Sequence, residues 1–371
     1  MNKALHTLLL TAFIISVLSC DNSLSTDTNK EETAPPTPNN DDAKDIEVEK
    51  SHLDVVLAPT NYPVRLGYIN KVTHWWGDNI AVDLGTPGMA PAHDYNYMLL
   101  TFWKCQGDPL DIALLWQNAH SYFGDTTKLG STNHEIQVAL RKKFNDAGVK
   151  LLVSAFGATE HPTSAGEDPK ECGHKLGSFI KNNNLDGADI DWEDNAAMEA
   201  GLGEQWLIEF TKALRDVVPD HIIIHAPQAP YFKEEYYKNG AYVTIDKAVG
   251  HLINFYMVQF YNQGNTQYNS YQELFTQATG HFSGTSVKEI AARGIPLQKI
   301  VVGKPLVQAD AANTGFVCQK ELGNWSEKAY NELGWYAGVG HWQYPSDKTG
   351  RAILLATSLL KAKCATEGNC K

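Results

Sequence analysis

Between residues 64 and 342 the chain alternates short apolar runs with longer amphipathic stretches. Eight runs stand out, at 64–69, 95–102, 149–156, 185–192, 221–226, 254–260, 299–306 and 335–342. Each is rich in Val, Ile, Leu or Tyr, and most stop at Gly, Pro, Asn or a polar cluster, as strands buried on both faces do. Helical spacing of apolar positions marks 133–147, 173–183, 204–218, 271–293 (interrupted near Gly280 and Gly284) and 346–363. Eight strands with intervening helices over about 300 residues predict an α/β fold, the (β/α)8 or TIM barrel. A doubly wound sheet also alternates strands and helices, but it carries a Gly-rich phosphate turn after its first strand. Gly67-Tyr68-Ile69-Asn70 is not one. The first crossover, from Asn70 to Asp94, shows little helical periodicity and is the weakest part of the count.

The ends read differently. Residues 1–20 form a signal segment: Lys3 gives a positive charge, and the apolar run at 8–18 is too short for a comfortable membrane span. Val17-Leu18-Ser19-Cys20 resembles a bacterial lipobox, which implies lipidation of Cys20 and an anchor to a membrane. Leu18 is not the usual small residue there, so ordinary signal-peptide cleavage and secretion stay open; both routes export the protein. Residues 21–60 carry ten acids against three lysines, with prolines in the middle, and predict a disordered tether. The globular body spans 61–371.

Formal charge is −12, much of it in that tether. The mildly acidic body argues against nucleic acid as a partner, since phosphate binding needs clustered Lys and Arg. Export permits disulfides, and no Cys or His spacing suggests zinc. If Cys20 carries lipid, five of the six cysteines remain and one stays unpaired. The candidate pairs are Cys364 with Cys370 and, at the ends of adjacent strands, Cys105 with Cys172.

Chemistry concentrates in Asp186-Gly187-Ala188-Asp189-Ile190-Asp191-Trp192-Glu193. Strand side chains alternate faces, so Asp189, Asp191 and Glu193 share one face and form a ladder about 13 Å long. Like charges that close do not all ionise at neutral pH, and a protonated acid beside an ionised one suits general acid catalysis. A calcium cage is the bland alternative, but calcium loops space their ligands with Gly, Asn and Ser rather than Ile and Trp. Asp186 has the opposite parity and reads as structural. In a barrel of this kind active residues stand at the C-terminal strand ends. There the sixth strand offers Gln259, Tyr261 and Asn262, and the eighth offers Trp342 above Gly338 and Gly340. Aromatic faces with fixed polar partners are what a sugar ring requires.

Asp186-Gly187-x-Asp189-x-Asp191-x-Glu193 resembles the signature of glycoside hydrolase family 18, the chitinases and endo-β-N-acetylglucosaminidases. Ala226-Pro227-Gln228-Ala229-Pro230, Val258-Gln259-Phe260-Tyr261-Asn262 and Ala337-Gly338-Val339-Gly340-His341-Trp342 follow in family order and look most like its hevamine-type branch. The resemblance spans about residues 62–363. It implies that Glu193 is the general acid, that Asp191 orients the substrate's own 2-acetamido group as nucleophile, and that Asp189 tunes Asp191. It further implies that Tyr261 binds the acetamide, and that Gln259, Trp342, Tyr68, Asn262 and Gln228 line the sugar pocket. Where the family has Ser-x-Gly-Gly, this chain has Ser154-Ala155-Phe156-Gly157, so Phe156 is expected to narrow or reshape the cleft. Trp75, Trp76 and Trp103 read equally as subsite or core residues. The expected activity is retaining, endo-acting cleavage of β-1,4 bonds next to N-acetylglucosamine, with no metal or organic cofactor, by a monomer. An endo-β-N-acetylglucosaminidase acting on N-glycan cores would use the same residues. A non-catalytic chitin- or glycan-binding protein is the third reading.

Overall fold

The computed structural model describes residues 57–71, 94–122, 129–347 and 352–367. Eight parallel strands close into a barrel in chain order. They are β1 (Val64–Ile69), β2 (Tyr97–Trp103), β3 (Lys150–Phe156), β4 (Gly187–Asp191), β5 (Ile222–His225), β6 (Phe255–Gln259), β7 (Ile300–Pro305) and β8 (Gly338–Trp342). The predicted barrel is therefore present, with all eight strands where the apolar runs lie. The signal segment, the tether to residue 56, Cys20, Trp75, Trp76 and most of the first crossover fall outside the described residues.

Helices cover the barrel: α1 (Asp111–Gln117), α2 (Asn133–Asp146), α3 (Pro169–Asn182), α4 (Asn195–Glu199), α5 (Gly203–Val217), α6 (Ala241–Val249), α7 (Val287–Ala292), α8 (Gln319–Leu333) and α9 (Ala352–Glu367). Their starts follow local chemistry. Thr132 caps α2 in a reciprocal capping box with Glu135, and Asp168 caps α3 ahead of Pro169. The long helical stretch expected over 271–293 breaks as its glycines suggest, into a π turn at Gln272–Thr276 and α7.

Register decides what faces the barrel axis. Ser154 pairs with Asp189, and Gly303 pairs with both Gln259 and Gly340. A Cβ at Gly303 or Gly340 would lie 2.3 or 2.9 Å from Met257, so Met257 fills the layer beneath Trp342 that the glycines vacate. Asp186 sits at the opposite parity, as expected, and is structural. Its carboxylate accepts from Leu151 N at 2.8 Å and pairs with Arg141, joining the starts of β3 and β4.

Cys105 and Cys172 form a disulfide between the end of β2 and α3, the pairing suggested by adjacent strand ends. Cys318 and Cys364 are also disulfide-bonded, and Cys370 lies outside the described residues.

Candidate active site

β4 delivers the acid ladder to the barrel mouth. Asp189 and Asp191 are buried, while Glu193 stands two residues past the strand's last residue and opens partly to solvent. Its place is thus in the following turn, not in the strand itself. Asp189 Oδ2 accepts from Ser154 Oγ at 2.7 Å. The Tyr68 hydroxyl approaches the same carboxyl and lowers its proton affinity, though Asp189 Oδ1 and Tyr68 Oη do not close a bond of normal geometry. Gln259 Nε2 donates to Asp191 Oδ1 at 2.9 Å and to the Ala226 carbonyl at 2.9 Å, and lies 3.3 Å from Glu193 Oε1. Gln228 Nε2 lies 3.4 Å from Glu193 Oε2.

Burial dominates the electrostatics. It pushes the Asp189 carboxyl up to about 7, against the donors on Ser154 and Tyr68. Asp191 is held well above the usual carboxylate range by burial first, then by the charges of Glu193 and Asp189. Glu193 is raised by burial, opposed by hydrogen bonds from Gln259, Asp191 and Gln228. Three carboxyls raised together share fewer than three charges at neutral pH, and they titrate as a group. Burial likewise raises Tyr68 and Tyr261 well above the ordinary phenol range, keeping both as neutral hydroxyl donors. Ser154 and Gln259 thus each direct a hydrogen at one oxygen of Asp189 and Asp191 respectively.

The sugar-sized walls are aromatic. Trp342 meets the Tyr68 ring edge-on at 5.6 Å and stacks on Phe102 at 6.2 Å. Phe102 was not singled out by strand alternation, because the β2–β3 register shifts between Leu100 and Trp103 and exchanges their faces. Trp103 consequently goes to the core, edge-on to Phe156. Phe156 does not reshape the cleft as expected. Its backbone has φ +77°, which turns the ring into the layer of α5, 5.8 Å from Trp206 and 5.5 Å from Phe210. The retained Gly157 answers the close approach on the cleft side, where a Cβ would sit 2.8 Å from the Phe102 ring.

The Asn262 side-chain oxygen accepts from Ala312 N at 2.8 Å and Asn313 N at 3.1 Å, so it fixes the loop after β7. That loop supports Tyr261: Gly315, at φ +98°, leaves no room for a Cβ, which would lie 2.5 Å from Tyr261 Cβ. Sequence reasoning missed two further groups. Gln263 Nε2 lies 3.4 Å from Gln228 Oε1, and Asp310, whose charge helps raise Tyr261, accepts from Gln343 Nε2 at 2.9 Å. Neither stands in a motif quoted above.

A closed parallel barrel with three coupled carboxyls at its C-terminal mouth, bounded by tyrosines and a tryptophan, is the arrangement of a glycoside hydrolase. The chain belongs to glycosyl hydrolases family 18, whose family model matches residues 68–353. Among solved structures it is similar to a GH18 chitinase from Pseudoalteromonas aurantia, with 26% identity, TM-score 0.59, and coverage of 79% of this chain and 99% of that one. It is also similar to a fungal family 18 endo-β-N-acetylglucosaminidase, at 16% identity and TM-score 0.53, covering 83% of this chain and 99% of that one. A xylanase-A-amylase inhibitor protein matches at 14% identity and TM-score 0.51, covering 81% and 99%. The last two show the fold alone.

Proposed function

We propose that this family 18 hydrolase is a chitinase: retaining, endo-acting on β-1,4 bonds next to N-acetylglucosamine, and assisted by its substrate. The observation that carries the reading is Gln259 donating to Asp191 at 2.9 Å while standing 3.3 Å from Glu193, all at one mouth with Tyr261. Glu193, its proton held by burial, gives it to the glycosidic oxygen as the C–O bond breaks. The substrate's acetamido oxygen attacks the anomeric carbon, so no enzyme carboxylate bonds to the sugar, an exception to the two-carboxylate scheme. Asp191 accepts from the acetamide N–H and balances the oxazolinium charge. Asp189 shares a proton with Asp191, and Tyr261 donates to the acetamide oxygen. Water then opens the ring, losing its proton to Glu193, with retention at the anomeric carbon.

Chitin is favoured over N-glycan cores by the 26% identity to the bacterial chitinase, against 16% to the endo-β-N-acetylglucosaminidase. The same reading puts the enzyme outside the cytoplasm as a monomer, tethered by residues 21–60 and anchored through Cys20 or released. Incubation with chitohexaose and with a high-mannose glycoprotein, followed by mass analysis of products, tests it. Short chito-oligosaccharides from the hexamer support the proposal. Glycan release with the hexamer intact selects the endo-β-N-acetylglucosaminidase, and binding with no product selects a non-catalytic lectin-like role.

A further inference from the structure

Glu193 stands in the turn between β4 and α4, past the end of the strand ladder. Gln259 and Gln228 reach its carboxyl only at 3.3 and 3.4 Å, beyond the usual N–H···O range. Its aim therefore depends on how the backbone of that turn is held. Before the acid, the fully buried Trp192 donates from Nε1 to Thr163 Oγ1 at 3.3 Å. After it, Asp194, 1% exposed, accepts from Ser164 N at 2.6 Å and Ser164 Oγ at 2.5 Å. Asp194 also accepts from Ala197 N at 3.3 Å, which starts α4. Two consecutive residues of the loop after β3 thus grip the two residues that flank the acid.

That loop, residues 157–168, is itself anchored. Glu160 accepts from Cys105 N at 3.1 Å, beside the Cys105–Cys172 disulfide, and the Glu167 carbonyl accepts from Trp206 Nε1 at 2.8 Å. Within it, Ala165 N donates to the His161 carbonyl at 3.0 Å and Glu167 N to the Pro162 carbonyl at 2.9 Å. The loop is close enough to act on the acid electrostatically. Burial raises the proton affinity of Glu193, and His161 lowers it, after the hydrogen bonds from Gln259, Asp191 and Gln228. The loop after β5 adds a third hold. Tyr231 Oη donates to Asn195 Oδ1 at 2.6 Å, and Asn195 N to the Glu193 carbonyl at 2.9 Å.

We propose that Asp194 is a positioning residue for the proton donor: gripped by Ser164, it fixes the turn that aims the Glu193 carboxyl at the glycosidic oxygen. Thr163 on Trp192 is the second point of the same grip. The inference rests on the reading of Glu193 as proton donor. Proton transfer tolerates little misplacement, and an error of about 1 Å costs about a hundredfold in rate. Asp194 acts through the turn, so its loss should be felt where the departing oxygen needs a proton.

Two aryl β-glycosides of chitobiose separate positioning from packing. The phenyl glycoside needs a proton on its departing oxygen, and the dinitrophenyl glycoside departs without one. Asp194→Ala is expected to lower kcat/KM for the phenyl glycoside at least about tenfold more than for the dinitrophenyl one. Asp194→Asn keeps an acceptor oxygen for Ser164 and should recover part of that loss. Thr163→Val, nearly isosteric, should show the same selective loss to a smaller degree, and it carries the test if Asp194→Ala does not fold. In a Glu193→Gln background, Asp194→Ala should add little on the phenyl glycoside. Equal losses on both glycosides, or none, in Asp194→Ala and Thr163→Val overturn the inference while the proton-donor reading stands. Fully additive losses in the double variant do the same and leave Asp194 a packing residue. If Glu193→Gln itself loses both glycosides equally, or the parent cleaves neither, the proton-donor reading fails and this inference fails with it.

Discussion

Gln259 donates to Asp191 Oδ1 at 2.9 Å from the same nitrogen that stands 3.3 Å from Glu193 Oε1. One amide thus serves both carboxyls and lowers the proton affinity of each. In Gln259→Leu that donor is gone, so both carboxyls rise further. The alkaline limb of the pH–rate profile, which reports the proton donor, is expected to move to higher pH while kcat falls about a hundredfold. A limb that stays or moves down contradicts the shared-donor arrangement.

Asp189 makes stability depend on pH. Its folded proton affinity is raised to about 7 from an ordinary carboxyl value. A raised group contributes stability that is full below its unfolded value, about 3.9, and is lost as pH rises through the folded one. Asp189→Asn removes that titration. Relative to the parent, the variant's Tm is expected to be higher at pH 7.5 than at pH 4 by at least a few degrees, on the order of the response to 1 kcal/mol. The opposite trend in thermal scans would mean that Asp189 is held ionised.

Lys304, fully buried on β7, donates from Nζ to the carbonyls of Phe260, Tyr268 and Gly315 at 2.8, 2.7 and 3.0 Å. Phe260 precedes Tyr261, and Gly315 packs on it. Lys304→Met strands three buried carbonyls and is expected to cost about 3 kcal/mol in denaturant unfolding. Because the lysine positions Tyr261, its effect on kcat should shrink in a Tyr261→Phe background. Fully additive losses would make Lys304 a packing residue only.

Phe156→Gly separates strain from cleft shape. The left-handed backbone costs about 1–3 kcal/mol for a non-glycine residue, whereas losing a buried Phe costs about 3–5 kcal/mol. A net destabilisation of about 2 kcal/mol is expected, with the oligosaccharide product pattern unchanged. A changed product pattern would put the ring back in the cleft.

The barrel was legible because parallel strands buried on both faces read as unbroken apolar runs, and the bounds of β1 are the predicted ones. Helices were less so. α8 has Gly323 in its second turn, a poor helix former kept because a Cβ there would lie 2.1 Å from the Leu355 carbonyl of α9. That contact is tertiary and leaves no mark on periodicity. At the site, strand parity placed Asp189, Asp191, Gln259, Tyr261 and Trp342 on the axis. It failed for Phe102, Trp103 and Phe156, where a register shift and a positive φ re-aim the side chains. The role of Asn262 depends on a loop some fifty residues further along the chain, which neighbouring residues do not announce.

The central claim is that Glu193 gives the proton. Chitohexaose hydrolysis by the parent and by Glu193→Gln, compared at pH 5 with matched thermal unfolding curves, addresses it most directly. A loss of at least about a hundredfold in kcat with the fold retained is the expected result. Hydrolysis at the parent's rate would contradict it.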